Sequence, residues 1–337
     1  MNLKFKCNAC NKIYKLDTPK YKCDCGGLFD LSGKIKGVKV DLSLGEGDTP
    51  ILKKEFSGED IFFQMDYLQP TGSFKDRGAV FLIDQLKKMG INNIIEDSSG
   101  NAGAAIAAYS AAANINCSIY LPSKTSQAKI KQIKSYGANI VRIKGNRDEA
   151  SNAILKEAEN TYYASHVYNP LFFAGVASLA FEIEEKIGVP DKILVPVGNG
   201  TMLLGLYYGF REIGKFPQLL AVQSEKCSPV YNNFYNINFA EEKNNEDNKT
   251  IAEGIAIKSP KRLQEIIKII KITNGDVITV SDEEIYSASN KLAKKGIYLE
   301  KTSAVAPAGF IKYFKNKRLE NNKILIPLTG SGLKNNI

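Results

Sequence analysis

Between Ile61 and Leu328 short apolar runs alternate with helical stretches, and this alternation restricts the fold more than any other feature of the chain. Ile61–Asp66, Ile94–Glu96, Cys117–Leu121, Asn139–Ile143, Lys192–Val197, Leu219–Ser224, Val277–Val280 and Lys323–Leu328 read as strands. Asp76–Met89, Ala102–Ala113, Gln127–Tyr136, Asp148–Asn160, Ala174–Ile187, Met202–Ile213 and Asp282–Lys294 read as helices. The last is opened by Ser281 with Glu284 three residues on, a capping-box spacing. Short strands separated by helices pair in parallel, since a parallel return needs a long crossover, and the crossover helices then cover both sheet faces. The expectation is an α/β chain with two doubly wound domains, for which 337 residues suffice. Asn232–Asn248, rich in Asn and Glu, reads as a surface excursion.

Charge and rare residues narrow the chemistry. The net charge is +9, but lysines are spread along the chain with acidic residues interleaved. That pattern fits a basic surface for anionic metabolites, not a nucleic-acid footprint, which would gather the charge on one face. No apolar run reaches the ~18 residues of a membrane helix, and Met1–Lys4 lacks the apolar core of a signal peptide, so a cytoplasmic setting is expected. There is no Trp, and His166 is the only histidine, read as a polar residue at a strand end. Ser/His/Asp catalysis and multi-histidine metal sites are therefore poorly supplied.

The cysteines divide into two groups. Cys117 and Cys227 stand alone and read as plain core or loop residues. Cys7, Cys10, Cys23 and Cys25 follow the spacing C-x2-C-x12-C-x-C, which suits two knuckles presenting four thiolates to one tetrahedral Zn²⁺. Gly26 and Gly27 supply the tight turn, and a closed set of four thiolates makes the site structural. A disulfide is the alternative, less suited to a reducing compartment.

The chemistry is concentrated in Gln69-Pro70-Thr71-Gly72-Ser73-Phe74-Lys75-Asp76-Arg77-Gly78. Lys75 follows a turn and heads a helix, with Arg77 nearby, and both the helix N-terminus and the guanidinium disfavour a charged ammonium. A neutral lysine amine forms a Schiff base with an aldehyde, as a covalently held cofactor requires. This string closely resembles the lysine motif of the pyridoxal-phosphate (PLP) enzymes of the tryptophan-synthase-β fold, known as fold type II, and within them the threonine synthases and the threonine/serine dehydratases. The resemblance implies a large PLP-binding domain over 33–77 and 168–337, a small domain over 78–167, and a zinc-ribbon-like segment over 1–32. It also implies an amino-acid substrate and a homo-oligomer, expected to be a dimer.

Further segments carry the same resemblance, from Gly47-Asp48-Thr49-Pro50 to Lys334. It implies that Asn101, in Ser98-Ser99-Gly100-Asn101-Ala102-Gly103, bonds the phenolic oxygen of PLP. Ser98, Ser99 and Gly100 then receive the substrate carboxylate, as helix-start N–H groups attract anions. Gly198-Asn199-Gly200-Thr201-Met202 opens a helix with small residues, a place for the cofactor phosphate. The resemblance sets Thr329 of Thr329-Gly330-Ser331-Gly332 against the pyridine nitrogen. Gly296–Glu300 with Thr302-Ser303-Ala304 matches a glutamate-containing loop beside the cofactor, with Lys301 where the family has proline.

One departure concerns substrate. The family's Asn-Pro-x-Arg-x-Glu-Gly-Gln-Lys-Thr appears as Asn169-Pro170-Leu171-Phe172-Phe173-Ala174-Gly175-Val176-Ala177-Ser178. Asn169 is kept for substrate binding, but Phe172 and Ala177 replace the arginine and lysine that would grip a phosphate dianion. Lys124, Lys129, Arg147 and Lys301 are the candidate substitutes. The expected activity is that of a threonine synthase, converting O-phospho-L-homoserine and water to L-threonine and phosphate with Lys75 as the proton-moving group. The alternatives are a dehydratase or β-replacing synthase acting on serine, threonine or phosphoserine, and a catalytically silent scaffold.

Overall fold

A computed structural model describes residues 3–145, 147–237, 249–315 and 322–336. The elements in chain order are β1 (Lys4–Cys7), β2 (Ile13–Tyr14), β3 (Phe29–Ser32), β4 (Ile51–Phe56), β5 (Glu59–Gln64), α1 (Lys75–Lys88), β6 (Asn93–Glu96), α2 (Asn101–Ala113), β7 (Asn116–Pro122), α3 (Gln127–Ser135), β8 (Asn139–Ile143) and α4 (Arg147–Glu157). There follow β9 (Tyr162–Tyr163), α5 (Pro170–Val176), α6 (Ser178–Ile187), β10 (Lys192–Pro196), α7 (Thr201–Ile213), β11 (Gln218–Ser224), α8 (Pro229–Phe234), α9 (Leu263–Ile272), β12 (Asp276–Val280), α10 (Asp282–Ala293), α11 (Lys301–Phe314) and β13 (Ile324–Pro327). Among the described residues no helix is long and apolar enough to cross a membrane.

The chain divides into two compact units, one of residues 1–47 and 69–178 and one of 48–68 and 179–336. The division expected from the resemblance ran at 32/33, 77/78 and 167/168. Within the first unit the lysine helix α1 packs on α5. Gly175 there lies so close that a Cβ would meet the Arg77 carbonyl oxygen at 2.2 Å. In the first unit β8-β7-β6-β9 form a four-stranded parallel sheet, and β2-β1-β3 form a separate antiparallel sheet of three strands.

In the second unit the sheet order is β12-β11-β10-β13-β5-β4, parallel except for the β4–β5 hairpin. Ser57 (φ 56°) and Gly58 (φ 88°) close that hairpin, and two left-handed residues in succession give the turn that matches strand twist. Phe56, Phe63, Leu194, Val222 and Phe310 are buried together, each such side chain contributing roughly 1.5–3 kcal/mol. α11 approaches the sheet through small residues, and a Cβ on Gly309 would meet Val222 at 2.7 Å.

Several elements depart from the sequence expectation. The helix expected from Ala174 begins at Pro170, because the Asn169 side chain caps it and proline is pre-set for the first helical turn, and it is split from α6 at Ala177. Thr302–Ala304, expected in a loop, form the first turn of α11, which carries Pro307 inside it. Asn232–Phe234, expected in a surface excursion, belong to α8, and 238–248 of that stretch lie outside the described residues.

Candidate active site

In the first unit, the Gly72 N–H closes a turn on the Gln69 carbonyl at 2.7 Å, and Gly72 takes φ 81°. Asp76 is fully buried and accepts from the Thr71 N–H at 2.6 Å and from the Thr71 hydroxyl. These bonds pin the turn to the helix and fix where Lys75 begins α1. The Lys75 Nζ lies 4.8 Å from the Phe74 ring centre and 5.8 Å from that of Phe172. Arg77 is buried and donates to Ser178 Oγ at 3.1 Å. Ser73, not singled out in the sequence, is fully buried with a hydroxyl that has no hydrogen-bond partner among the described residues.

The same unit places Ser98, Ser99 and Gly100 between β6 and α2. Gly100 is the N-cap, Asn101 is the first helical residue, and the first turn has neither a side-chain cap nor an acidic residue. Ser98 Oγ accepts from the Gly100 N–H at 3.3 Å. A Cβ on Gly103 would meet the Ser98 carbonyl oxygen at 1.8 Å, so the loop folds back over the helix only because Gly103 has no side chain. Asn169 is buried and accepts from the Leu171 N–H at 3.0 Å while donating to the Tyr162 hydroxyl at 2.9 Å. Asn169, expected to bind substrate, is the N-cap of α5. Phe172 and Ala177 are fully buried, and Phe172 lies where a Cβ on Gly78 would meet its ring at 2.3 Å.

His166 is buried and shares a 2.6 Å hydrogen bond with the carboxylate of Glu96, itself fully buried. The His166 ring packs edge-on against Phe172 at 6.1 Å. His166 lies in the turn that follows β9. Glu96 was legible only as a charge ending an apolar strand, the one signal that could have flagged it.

In the second unit, Gly198 and Asn199 follow β10, and Gly200 is the N-cap of α7 with φ 78°, again without a side-chain cap or an acidic residue in the first turn. Thr201 and Met202 are buried in that turn. The glycines have a reason in the chain itself. A Cβ on Gly198 would meet Ile255 Cα at 2.9 Å, and one on Gly200 would meet the Ile266 side chain at 2.5 Å. Thr329 is 2% exposed; its N–H donates to Ser303 Oγ at 2.8 Å, while its own Oγ1 has no hydrogen-bond partner among the described residues. Glu300 lies against Gly330, where a Cβ would meet its carboxylate at 2.2 Å, and its N–H donates to the Gly330 carbonyl at 3.1 Å. The glutamate-containing segment thus sits beside Thr329.

Of the proposed phosphate-gripping cations, Lys301 donates to Ser289 Oγ at 3.1 Å and lies 4.2 Å from the Tyr286 ring centre, and Lys124 is exposed after β7. The side chains of Lys129 and Arg147 lie outside the described residues.

The sulfurs of Cys7, Cys10, Cys23 and Cys25 all lie within 4.8 Å of one another, with Cys7–Cys25 and Cys10–Cys23 each at 3.5 Å. The edge of a tetrahedron with Zn–S bonds of ~2.3 Å is about 3.8 Å. Cys7 Sγ accepts from the N–H groups of Ala9 and Cys10 at 3.4 and 3.5 Å, and Gly27 sits where a Cβ would meet that sulfur at 2.6 Å. The Tyr14 hydroxyl, 3.1 Å from Cys23 Sγ, draws that thiol down to about 6.

Comparison with known proteins identifies the family. The family model described as pyridoxal-phosphate dependent enzyme matches residues 42–330. A threonine synthase from Methanocaldococcus jannaschii is 30% identical, the match covering 98% of this chain and 92% of that protein. One from Halalkalibacterium halodurans is 33% identical over 87% of this chain and 84% of its own length. The crystal structure of a pyridoxal 5'-phosphate-dependent aspartate racemase superposes with a TM-score of 0.73 at 24% identity, covering 84% of this chain and 90% of that one, a likeness of fold alone. The chain therefore belongs to the pyridoxal-phosphate-dependent enzymes of fold type II, in the family that includes the threonine synthases.

Proposed function

We propose that this protein is a threonine synthase, converting O-phospho-L-homoserine and water to L-threonine and phosphate. The observation that carries the reading is likeness to threonine synthases at 30–33% identity over most of both chains. The residues fit PLP. Among the described residues the buried hydroxyls of Ser73, beside Lys75 in the first unit, and of Thr329, after β13 in the second, have no hydrogen-bond partner. The first turn of α7 lacks any side-chain cap or carboxylate that would compete with a phosphate.

In this reading Lys75 holds the cofactor, the first turn of α7 from Gly198 to Met202 takes its phosphate, Asn101 its phenolic oxygen and Thr329 its pyridine nitrogen. When bound, PLP supplies an electron sink for negative charge developing on the substrate. Lys75 Nζ would take the proton from substrate Cα and carry protons at the neighbouring carbons. The net change leaves hydroxyl from water at Cβ and a proton moved from Cβ to Cγ as phosphate departs. The uncapped N–H groups after Ser98, Ser99 and Gly100 orient the substrate carboxylate. A hydroxyl at Thr329 does not hold a pyridinium proton as a carboxylate would, which favours elimination and replacement over transamination. The cluster of Cys7, Cys10, Cys23 and Cys25 is read as a structural Zn²⁺ site, supported by its near-tetrahedral sulfur spacing.

A second reading, a dehydratase acting on serine or threonine, is favoured by one observation: the positions of the family's phosphate-gripping arginine and lysine are the buried Phe172 and Ala177. The test compares kcat/KM of the PLP-loaded protein for phosphohomoserine, serine, threonine and phosphoserine. Phosphohomoserine should lead, with phosphate and threonine appearing in equal amounts. Preference for serine or threonine, with ammonia released, would replace the first reading by the second.

A further inference from the structure

The four-cysteine segment makes contacts that a free-standing ribbon would not need, and they lead to the lysine helix. The loop between Cys10 and Cys23 carries both Leu16 and Tyr21. The Leu16 carbonyl accepts from the Tyr162 hydroxyl at 3.3 Å, and the same hydroxyl accepts from Asn169 Nδ2 at 2.9 Å. Asn169 in turn caps α5. The Tyr21 ring packs edge-on against Tyr168 at 5.2 Å and Tyr163 at 6.1 Å. Tyr163 donates to Asp97 at 2.8 Å, immediately before Ser98-Ser99-Gly100. Phe5 and Phe29 of the ribbon line a crevice together with Tyr162, Tyr168 and Pro170. At the far end of this chain of contacts α5 is seated on α1 through Gly175 and through Phe172 against Gly78, and Phe172 faces the Lys75 ammonium at 5.8 Å.

We infer that the ribbon is a positioning element for the reaction, with Tyr162 as the positioning residue that relays it. Joining the four sulfurs fixes both ends of the Cys10–Cys23 loop. A loop so tied presents Leu16 and Tyr21 at constant places, and these hold Tyr162, Tyr163 and Tyr168. Asn169, α5 and Phe172 then keep a constant seat beside Lys75. Without the metal the loop keeps the short β1–β2 pairing, the exposed ion pairs of Lys12 and Lys20 with Asp24 and its ring contacts, none of which joins its two ends as four linked sulfurs would, and each downstream contact can shift. The inference rests on reading Lys75 and the zinc site as proposed above, and its tests separate the three claims.

The first measurement is hydrogen exchange of the PLP-loaded full chain, before and after metal is withdrawn by a chelator, over 162–177 and over 201–213. Exchange over 162–177 should rise about tenfold while 201–213 is unchanged. An unchanged 162–177, or an equal rise in both, overturns the relay. The second is Tyr162→Phe, with Tyr21→Ala beside it in case the chelated protein unfolds. Both should keep their metal. Tyr162→Phe should raise KM about threefold to tenfold, a hydrogen bond's worth, with kcat within about twofold. KM is read for whichever amino acid the enzyme turns over best, so a wrong substrate reading does not disturb it. Unchanged KM with unchanged exchange over 162–177 in both variants overturns the proposal. Metal analysis that finds no zinc would remove the zinc reading alone, leaving the two variants to decide the relay.

Discussion

Replacing Thr329 by valine should move stability and cofactor affinity in opposite directions. Thr329 is 2% exposed, and its Oγ1 has no hydrogen-bond partner among the described residues. A buried hydroxyl left unpaired costs about 1–3 kcal/mol, whereas valine has nearly the same shape and no polar atom to satisfy. Its backbone N–H keeps its bond to Ser303 Oγ, so the change is confined to one atom. The cofactor-free Thr329→Val protein should therefore be more stable by about 1 kcal/mol, a rise of ~1–3 °C in Tm. If the hydroxyl meets the cofactor ring, the same variant loses one hydrogen bond in the loaded form, and the PLP dissociation constant should rise about fivefold to tenfold. Thr329→Ser, which keeps the hydroxyl, should hold its affinity. Thermal unfolding with and without PLP, together with a cofactor titration, reads both quantities. A lower Tm of the cofactor-free valine variant with unchanged PLP affinity would refute the reasoning, because it would mean that the hydroxyl is satisfied within the protein.

Other expectations follow from the same geometry. Lys75→Ala should abolish the visible band of the lysine-bound cofactor and all turnover, with far-ultraviolet circular dichroism unchanged; a residual band would assign the lysine elsewhere. Cys7→Ser with Cys25→Ser should lose about one equivalent of zinc by metal analysis, and a metal-free wild type would remove the premise. Gly200→Val should lower the stability of the cofactor-free protein by about 2–4 kcal/mol in chemical denaturation, because φ is 78° and the new side chain meets Ile266; equal stability would show that the loop relaxes. Cys117, whose thiol burial pushes up to about 12, should stay inert to thiol reagents at neutral pH until the protein unfolds, and prompt labelling of the native chain would contradict its burial.

The parts of this molecule that repeat a local rule were legible in the sequence. α1 and α7 start within a residue of their expected positions, because a turn or a glycine loop marks each start chemically. Ser281 and Glu284 form the capping box their spacing announced. β4 was not legible: Lys53, Lys54 and Glu55 dominate an edge strand whose pairing to β5 depends on the Ser57-Gly58 turn. α11 was hidden by Pro307 and by the run of small residues that lets it approach the sheet. At the candidate site the sequence supplied the residue types, but the burial of Ser73 and the pairing of His166 with Glu96, seventy residues apart, exist only once β6 and the segment before α5 are brought together.

That tertiary information also changes what the substituted phosphate motif means. Read as a string, Phe172 and Ala177 are two missing charges that restoration could repair. In the structure both are fully buried, and Phe172 fills the space above Gly78 while contacting the His166 ring. An arginine or lysine put there would have to leave water without a partner supplied, at a cost of several kcal/mol, before it could grip anything. The charge-assisted contacts it would restore are worth only about 1.5–3 kcal/mol each. The two positions are thus filled by packed side chains, not left as open, uncharged space. Activity on phosphohomoserine requires a cation from other positions, and Lys301 would first have to give up its bond to Ser289 and its place over Tyr286. The comparison of phosphorylated with unphosphorylated amino acids therefore reports directly on which side chains meet the far end of the substrate.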